Sequence, residues 1–415
     1  MKKIIRYPSG LKLVVERLPA FSVSAGIWVN AGSRTENTQN NGISHFLEHM
    51  IFKGTDKLSA FDIANGFEGL GAAINAFTSK DCTCYFVKSV TDAAEQCFEK
   101  LSHIFLDSVF DKTEMDKEKN VVVEEIGMVE DSPEEVCYNI FAEMLFDGPL
   151  AQTILGPAEN ILRFTKTDID LYMSQRYTPQ NTVISFAGDI DLETADRLVK
   201  KYFLPKLKNM GDGEKNGIIQ TKSLYAPRST VKIDDFEQAN LILGFESLPL
   251  NDKLIPTQAL LSVILGGGMS SRLFQKVREQ EGLAYSIYSN PTVHVGAGSF
   301  NICVNFTAAN TGKVMDCIKS EVELLLQKGI TKEEFARAKA QLKSSMVFAQ
   351  ENVQSQMLAF GKLLLLCDEL YDMNKKLSEI ENVTIDSLMI FAKDLFIRTP
   401  ALAYLGRTPD AEPKW

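Results

Sequence analysis

Histidine is nearly absent from this chain, at four residues in 415. Cysteine is sparse too: seven residues, an odd number, with no CxxC pair among them. Cys82 and Cys84 stand two apart, which on a strand points both to one face. A thiol zinc site there competes with a simpler reading, that of small buried hydrophobes in a reducing compartment. Positive charge is in deficit, with 44 Lys and Arg against 54 Asp and Glu and a net charge of −10, which argues against nucleic acid as the main partner. The imbalance mildly favours cationic substrates, although a solvated acidic surface accounts for it more simply. Long apolar runs are missing. The opening MKKIIRYPSGLKLVVERLP has charges but no signal h-region, and no segment approaches the length of a transmembrane helix. The expectation is a cytoplasmic protein that engages neither nucleic acid nor membrane.

What is present is enough apolar sequence, 45% of the chain, to bury large cores, at a length that suggests two to three domains. One stretch reads as a linker, PKLKNMGDGEKNGIIQTKSLYAPRS (205–229), rich in Gly, Lys and Asn. It predicts a first domain over 1–206, a linker over 207–228 and a second domain over 229–415. The halves repeat one plan. FDKTEMDKEKNVVVEE (110–125) aligns without gaps to ITKEEFARAKAQLKSS (330–345), and TKTDIDLYMSQRYTPQNTVISFAG (165–188) parallels TIDSLMIFAKDLFIRTPALAYLG (384–406). Each of the latter reads as helix, aromatic, proline, strand, glycine. A duplicated α+β unit is the simplest explanation.

Two of the four histidines fall in GISHFLEHMIFKGT (42–55). No Gly or Pro interrupts residues 43 to 53, so a helix is expected, and positions i, i+3 and i+4 share a face. His45, Glu48 and His49 then point the same way. Two imidazoles at i, i+4 suit one zinc ion with both nitrogens at about 2.0–2.1 Å. A glutamate on that face can take the proton of a water attacking a carbonyl. A catalytic zinc needs a third protein ligand, and DKTEMDKEKNVVVEEIGMVED offers candidates. Thr113 with Asp116 looks like an N-cap pair. Glu118 and Glu125, seven apart, face one side of the helix. The VVV run beside them implies burial, and buried carboxylates need a partner such as a metal.

HFLEHMIFKGT, with a glutamate 76 residues beyond the second histidine, resembles the pitrilysin and mitochondrial-processing-peptidase family of zinc proteases, which carry the inverted HExxH motif. The resemblance implies two similar α/β domains in tandem, each a mainly antiparallel sheet packed with helices. It implies one zinc ion per chain held by His45, His49 and Glu125, with Glu48 as general base and Glu118 supporting the ligands. Spacing selects Glu125 over Glu124, which is turned about 100° away on a helix. GAAINAFTSKDCTCYF (71–86) is similar to the family's edge strand that takes a peptide as an added strand, and it assigns that job to Asn75, Ala76, Phe77 and Thr78. Phe52 matches a position lining the pocket beyond the cleaved bond, although an ordinary core phenylalanine is an equal reading. In LGGGMSSRLFQKVREQEGLAYSIYS (265–289), the triple glycine lacks the GK[ST] of a phosphate loop and also fits a helix end followed by a Ser cap. Arg278 and Tyr285 match the family's Arg and Tyr seven apart, implied to hold the substrate backbone and stabilise the oxyanion.

Laid over GISHFLEHMIFKGT, the stretch IPTQALLSVILGGG (255–268) puts Gln258 at His45, Leu261 at Glu48 and Ser262 at His49. The helix alignment puts Ala338 at Glu118 and Ser345 at Glu125. All five site positions change together in the second copy, so the first half is expected to do the chemistry and the second to bind substrate. The function expected is a zinc endopeptidase acting on unfolded polypeptides or oligopeptides inside a chamber closed by pairing two chains. A homodimer is preferred because one chain carries both kinds of half; a subunit of a heterodimeric processing peptidase, or a non-catalytic scaffold, is the alternative. A small-molecule metalloenzyme sharing the motif, as in S-ribosylhomocysteine lyase, is a third class, but that enzyme is far shorter and uses a cysteine ligand.

Overall fold

A computed structural model describes residues 2–211 and 224–415, so most of the expected linker lies outside the described residues. The strands of the first sheet are β1 (Lys3–Arg6), β2 (Lys12–Arg17), β3 (Ser22–Val29), β4 (Ala73–Thr78), β5 (Thr83–Val90) and, after a two-residue β6 (Phe146–Asp147), β7 (Thr182–Gly188). The helices of the first half are α1 (Ile43–Ile51), α2 (Ala60–Glu68), α3 (Ala94–Asp107), α4 (Lys112–Glu130), α5 (Pro133–Leu145), α6 (Ala158–Arg163), α7 (Lys166–Arg176) and α8 (Leu192–Leu198). The second half continues with β8 (Leu224–Tyr225), β9 (Ser229–Ile233), β10 (Ala239–Glu246), β11 (Ala284–His294), β12 (Ala297–Phe306) and β13 (Ala401–Gly406). Its helices are α9 (Ile255–Gly266), α10 (Thr311–Lys328), α11 (Lys332–Gln350), α12 (Val353–Cys367), α13 (Met373–Asn382) and α14 (Ile385–Phe396).

The first sheet runs β1-β2-β7-β3-β5-β4, and the second runs β11-β12-β10-β13-β9. Each is antiparallel except for one parallel pair, β2 with β7 and β13 with β9. The repeat read in the sequence is therefore a repeat of topology, with β4 and β11 as matching edge strands. The aligned stretches become α4 and α11, both 19 residues long. They also become α7 and α14, each opened by a threonine whose hydroxyl accepts the N–H three residues on, Thr165 from Asp168 and Thr384 from Ser387. No described helix is long and apolar enough to cross a membrane.

Compactness divides the chain differently from sequence order. One unit gathers the described residues of Met1–Ile126, Gln152–Ile219 and Phe348–Tyr371; the other gathers those of Gly127–Ala151, Gln220–Val347 and Asp372–Trp415. Helix α12, from the second half, thus packs on β3 and β7, and α5, from the first half, packs on β10 and β13. Small residues make room for both. A side-chain carbon at Gly26 of β3 would lie 2.5 Å from Sδ of Met357, and one at Gly244 of β10 would lie 2.1 Å from Cζ of Phe141. Glycine is the residue that lets a backbone come this close. In the first unit α1 and α3 pack with the sheet in one core, in which Phe46, Leu47, Tyr85, Phe98, Phe105 and Phe186 are fully enclosed.

The helix carrying Glu118 and Glu125 differs from expectation at its start. Asp111, not the Thr113–Asp116 pair, opens α4: its Oδ1 accepts from Thr113 N at 2.8 Å and Glu114 N at 3.2 Å. Asp116 is instead turned to Lys112 Nζ, one helical turn back. An acid one residue before the first turn reaches two free N–H groups, which a residue inside that turn cannot do. The neighbouring VVV run is mixed in exposure, with Val122 fully buried and Val121 half exposed.

Candidate metal centre

Helix α1 buries seven of its nine residues, among them Ile43, Phe46, Leu47, Met50 and Ile51, so its orientation is fixed by the core beneath it. One face carries His45, itself among the buried seven, with the half-buried Glu48 and His49. The His45 and His49 rings lie with centroids 4.7 Å apart and planes at 61°. Helix α4 brings Glu125 against them: Oε1 is 3.6 Å from His45 Nε2, and Oε2 is 3.5 Å from His49 Nε2. Glu124, on the next position, is exposed.

These separations are too long for hydrogen bonds and close to those of a metal site. Donors about 2.1 Å from a tetrahedral ion stand roughly 3.4 Å from one another. Ligand atoms of His45, His49 and Glu125 all lie within 4.8 Å of each other, and among the described residues no other group of three His, Cys, Asp or Glu side chains does so. The donor set, two imidazoles and one carboxylate, suits zinc and leaves a fourth position for water or substrate. Burial and the neighbouring His49 lower the His45 pKa to about 4, so this ring is neutral and its Nε2 can serve as a ligand at neutral pH.

A supporting layer is built behind His49. Glu118 is almost fully buried, accepts from His49 Nδ1 at 2.7 Å and binds Lys53 Nζ at 2.5 Å. Burial alone would raise the Glu118 carboxyl, but the hydrogen bonds and charges of His49 and Lys53 hold it below the usual carboxylate range. Burial alone would lower His49; the hydrogen bond to Glu118, with the charges of Glu118, Glu125 and Glu48, raises it. With Nδ1–H given to Glu118, the neutral ring keeps its lone pair on Nε2, the atom free to bind a metal ion.

Glu48 is held from the sheet. The hydroxyl of Thr78, the last residue of edge strand β4, donates to Glu48 Oε2 at 2.5 Å. Burial raises the Glu48 pKa above its ordinary value, with the Thr78 bond acting the other way. Thr78 therefore touches the acid of the motif directly, a contact the edge-strand reading did not contain. Elsewhere on β4, Phe77 packs edge-on to Trp28 at 5.7 Å and Asn75 Oδ1 accepts from Ala76 N. Phe52 caps α1 and is packed against the core, with its ring centroid 6.3 Å from that of Tyr85.

In the second unit, Arg278 lies with its guanidinium 4.7 Å from the Phe274 ring centroid and 5.8 Å from that of Tyr285. Tyr285, at the start of edge strand β11, is 79% exposed. The positions matching the first unit's site are satisfied locally: Ser262 Oγ is 2.9 Å from Ser289 Oγ, Ser345 Oγ donates to Gln341 O at 3.0 Å, and Ala338 is buried. Cys82 and Cys84 are free and fully buried, as are most of the other cysteines.

Three contributors escaped the sequence reading. Lys53 stands four residues after His49, just past the end of α1, a spacing visible in the sequence. The Thr78–Glu48 bond joins a strand to a helix and has no local pattern. Glu36 is the third: α1 opens on Gly42, which has no side chain to cap it, and the Glu36 carboxylate accepts from Gly42 N and Ser44 N instead.

Comparison with known proteins is consistent along the whole chain. The family model described as "Insulinase (Peptidase family M16)" matches residues 12–158, and that described as "Peptidase M16 inactive domain" matches residues 163–342. An uncharacterised zinc protease of Bacillus subtilis, YmxG, is 36% identical over 400 residues, covering 96% of each chain. An uncharacterised zinc protease of Streptomyces coelicolor is 32% identical over 420 residues, covering 98% of this chain and 89% of its own. Among solved structures, a protease from Helicobacter pylori superposes with a TM-score of 0.91 at 22% identity, covering 98% of this chain and 99% of that one. A Pseudomonas fluorescens protein described as a peptidase M16 inactive domain gives 0.89 at 20% identity, covering 99% and 100%. At such identities these two structures speak for the fold.

Proposed function

The chain belongs to peptidase family M16, the insulinase type, and on that premise we propose that it is a zinc-dependent endopeptidase of unfolded polypeptides or oligopeptides. The observation that carries the reading is the placement of Glu48 on the same helical face as His45 and His49, its carboxylate held by Thr78, with Glu125 3.5–3.6 Å from both ring nitrogens. A non-catalytic scaffold has no need of this arrangement.

His45 Nε2, His49 Nε2 and Glu125 would hold one zinc ion. When bound, zinc supplies a Lewis acid that lowers the pKa of water towards neutrality and polarises a carbonyl. Glu48 takes the proton from the attacking water and returns it to the leaving amine. A carboxyl with its pKa raised by burial is suited to both transfers near neutral pH. The Thr78 hydroxyl bonds one carboxylate oxygen and so aims the other. Glu118, anchored by Lys53, orients His49 through Nδ1. Edge strand β4, with Asn75, Ala76 and Phe77, receives the peptide as an added strand. Phe52 is assigned to the pocket beyond the cut, and Arg278 with Tyr285 to the substrate backbone and the oxyanion. The working form we assign is a homodimer in the cytoplasm, each chain contributing one active-type and one inactive-type half; the second half's loss of every site side chain supports that division of labour.

Metal analysis beside cleavage tests the reading. Purified wild type should carry one zinc per chain and cleave a quenched fluorescent peptide in a chelator-sensitive manner, and Glu125→Gln should lose both. Wild type that binds zinc and cleaves no peptide under any condition would return the scaffold reading.

A further inference from the structure

The two histidines of α1 are oriented by different means. His49 is fixed through its ring, by Nδ1 to Glu118. His45 is 8% exposed, and its Nδ1 is buried with no hydrogen-bond partner among the described residues. The His45 ring is packed against His49 but held by no hydrogen bond, so its placement depends on that packing and on the backbone of the helix's first turn. That turn begins at Gly42, in the left-handed region at φ +99°, without a side-chain cap of its own.

Glu36 occupies the place of the missing cap. It lies in the polar loop before α1, is 5% exposed, and its carboxylate accepts three N–H groups. Oε2 takes Gly42 N at 2.8 Å and Asn41 Nδ2 at 2.9 Å, and Oε1 takes Ser44 N at 2.8 Å. The last of these is the residue directly before His45. Each partner is itself tied down. Asn41 Nδ2 also donates to Thr153 O, Asn160 Nδ2 donates to Thr38 O and Asn41 O, and the Tyr172 hydroxyl bridges Ser44 Oγ at 2.6 Å and Thr35 Oγ1 at 2.9 Å. A carboxylate so deeply buried is costly unless its lone pairs are filled. Here backbone amides and the positive end of the helix fill them. Burial raises the carboxyl of Glu36 and its hydrogen bonds act the other way.

We propose that Glu36 is a positioning residue for the metal centre: its carboxylate pins the first turn of α1 and thereby aims His45, the ligand that no hydrogen bond orients. The inference rests on the zinc-peptidase reading above, and its role is exerted through backbone, not by contact with metal or substrate. Glu36→Gln keeps the shape but turns one acceptor into a donor facing N–H groups. Glu36→Asp keeps the charge but cannot span both Gly42 N and Ser44 N.

The test measures zinc affinity by competition with a chromophoric chelator, and the visible spectrum of the cobalt-substituted protein. Thr182→Val serves as control; it deletes a buried hydroxyl of β7 that is bonded to Thr178 O and is no part of the Glu36 hydrogen bonds. The expected result is zinc affinity about 10- to 100-fold weaker in folded Glu36→Gln and Glu36→Asp, with an altered cobalt spectrum, the range typical of lost outer-layer support. Thr182→Val should lose stability and keep both wild-type values. Wild-type affinity and spectrum in a folded Glu36 variant, or an equal loss in Thr182→Val, would overturn the proposal. Amide exchange in metal-free wild type gives a second reading that needs no variant. Gly42 and Ser44 N–H should exchange as slowly as the central strands, and exchange as fast as at an open helix end would also overturn it. A wild type that takes up no zinc refutes the zinc reading itself, an outcome visible before any variant is made.

Discussion

Glu118 gives the sharpest quantitative handle on the metal centre. Its carboxylate joins His49 Nδ1 at 2.7 Å to Lys53 Nζ at 2.5 Å in a nearly closed environment. Glu118→Gln leaves an oxygen that can accept from Nδ1–H but removes the charge that strengthens that bond and anchors Lys53. Glu118→Ala removes the acceptor and frees the His49 ring to turn. Loss of outer-layer support costs about 10- to 100-fold in metal affinity. The expected order is therefore about 10-fold for Gln and about 100-fold for Ala, or roughly 1.4 and 2.7 kcal/mol. Lys53 is partly exposed and can rehydrate once released, so the loss should appear in metal binding more than in folding. Zinc competition at pH 7.5, with thermal melts of the metal-free proteins, measures both. Affinity within twofold of wild type in folded Glu118→Ala would refute the argument that His49 is oriented through its ring.

Thr78→Val should leave zinc affinity unchanged and lower the peptide cleavage rate about 10- to 100-fold, the worth of one hydrogen bond to a charged group; Thr78→Ser should recover most of it, and a valine variant at full rate would contradict the assignment. Gly244→Ala places a carbon against Phe141 and Asn301 and should destabilise by ~1–3 kcal/mol in denaturant melts, with Phe141→Leu restoring part of the loss; no effect would contradict the packing of α5 on the second sheet. Glu95 accepts from Arg197, Lys201 and Tyr202, which lower its pKa to about 2 from the ordinary 4.5. Because the folded value is the lower one, its stabilisation is present above about pH 4.5 and lost as pH falls towards 2. Wild type should therefore approach Glu95→Gln in stability across that acid range, and a constant difference would contradict it; the pair is exposed, so the total effect is small.

The sequence was most informative where function and periodicity coincide. The face shared by His45, Glu48 and His49, the seven-residue step from Glu118 to Glu125, and the duplicated α4/α11 and α7/α14 stretches are local patterns, and local geometry converts them directly into space. The exchange of α5 and α12 between sheets was not legible. Amphipathic spacing states that a helix buries a face but not which sheet receives it, and Gly26 and Gly244 acquire meaning only once Met357 and Phe141 are seen against them. The start of α4 was misplaced because two capping residues, Asp111 and Thr113, stand two apart and only the backbone decides between them. Glu36 and Thr78 reach the site from a loop and a strand end, through contacts whose partners lie outside any repeating pattern. Lys53 could have been read from its i, i+4 relation to His49.

The central claim is that Glu48 performs peptide hydrolysis beside a zinc ion held by His45, His49 and Glu125. Digestion of a mixed peptide pool, followed by mass spectrometry, tests it most directly when wild type and Glu48→Gln are compared at equal zinc content. The account predicts cleavage by wild type alone, abolished by chelation and restored by zinc. Equal cleavage by the Glu48→Gln protein, or none by a fully zinc-loaded wild type, would contradict it.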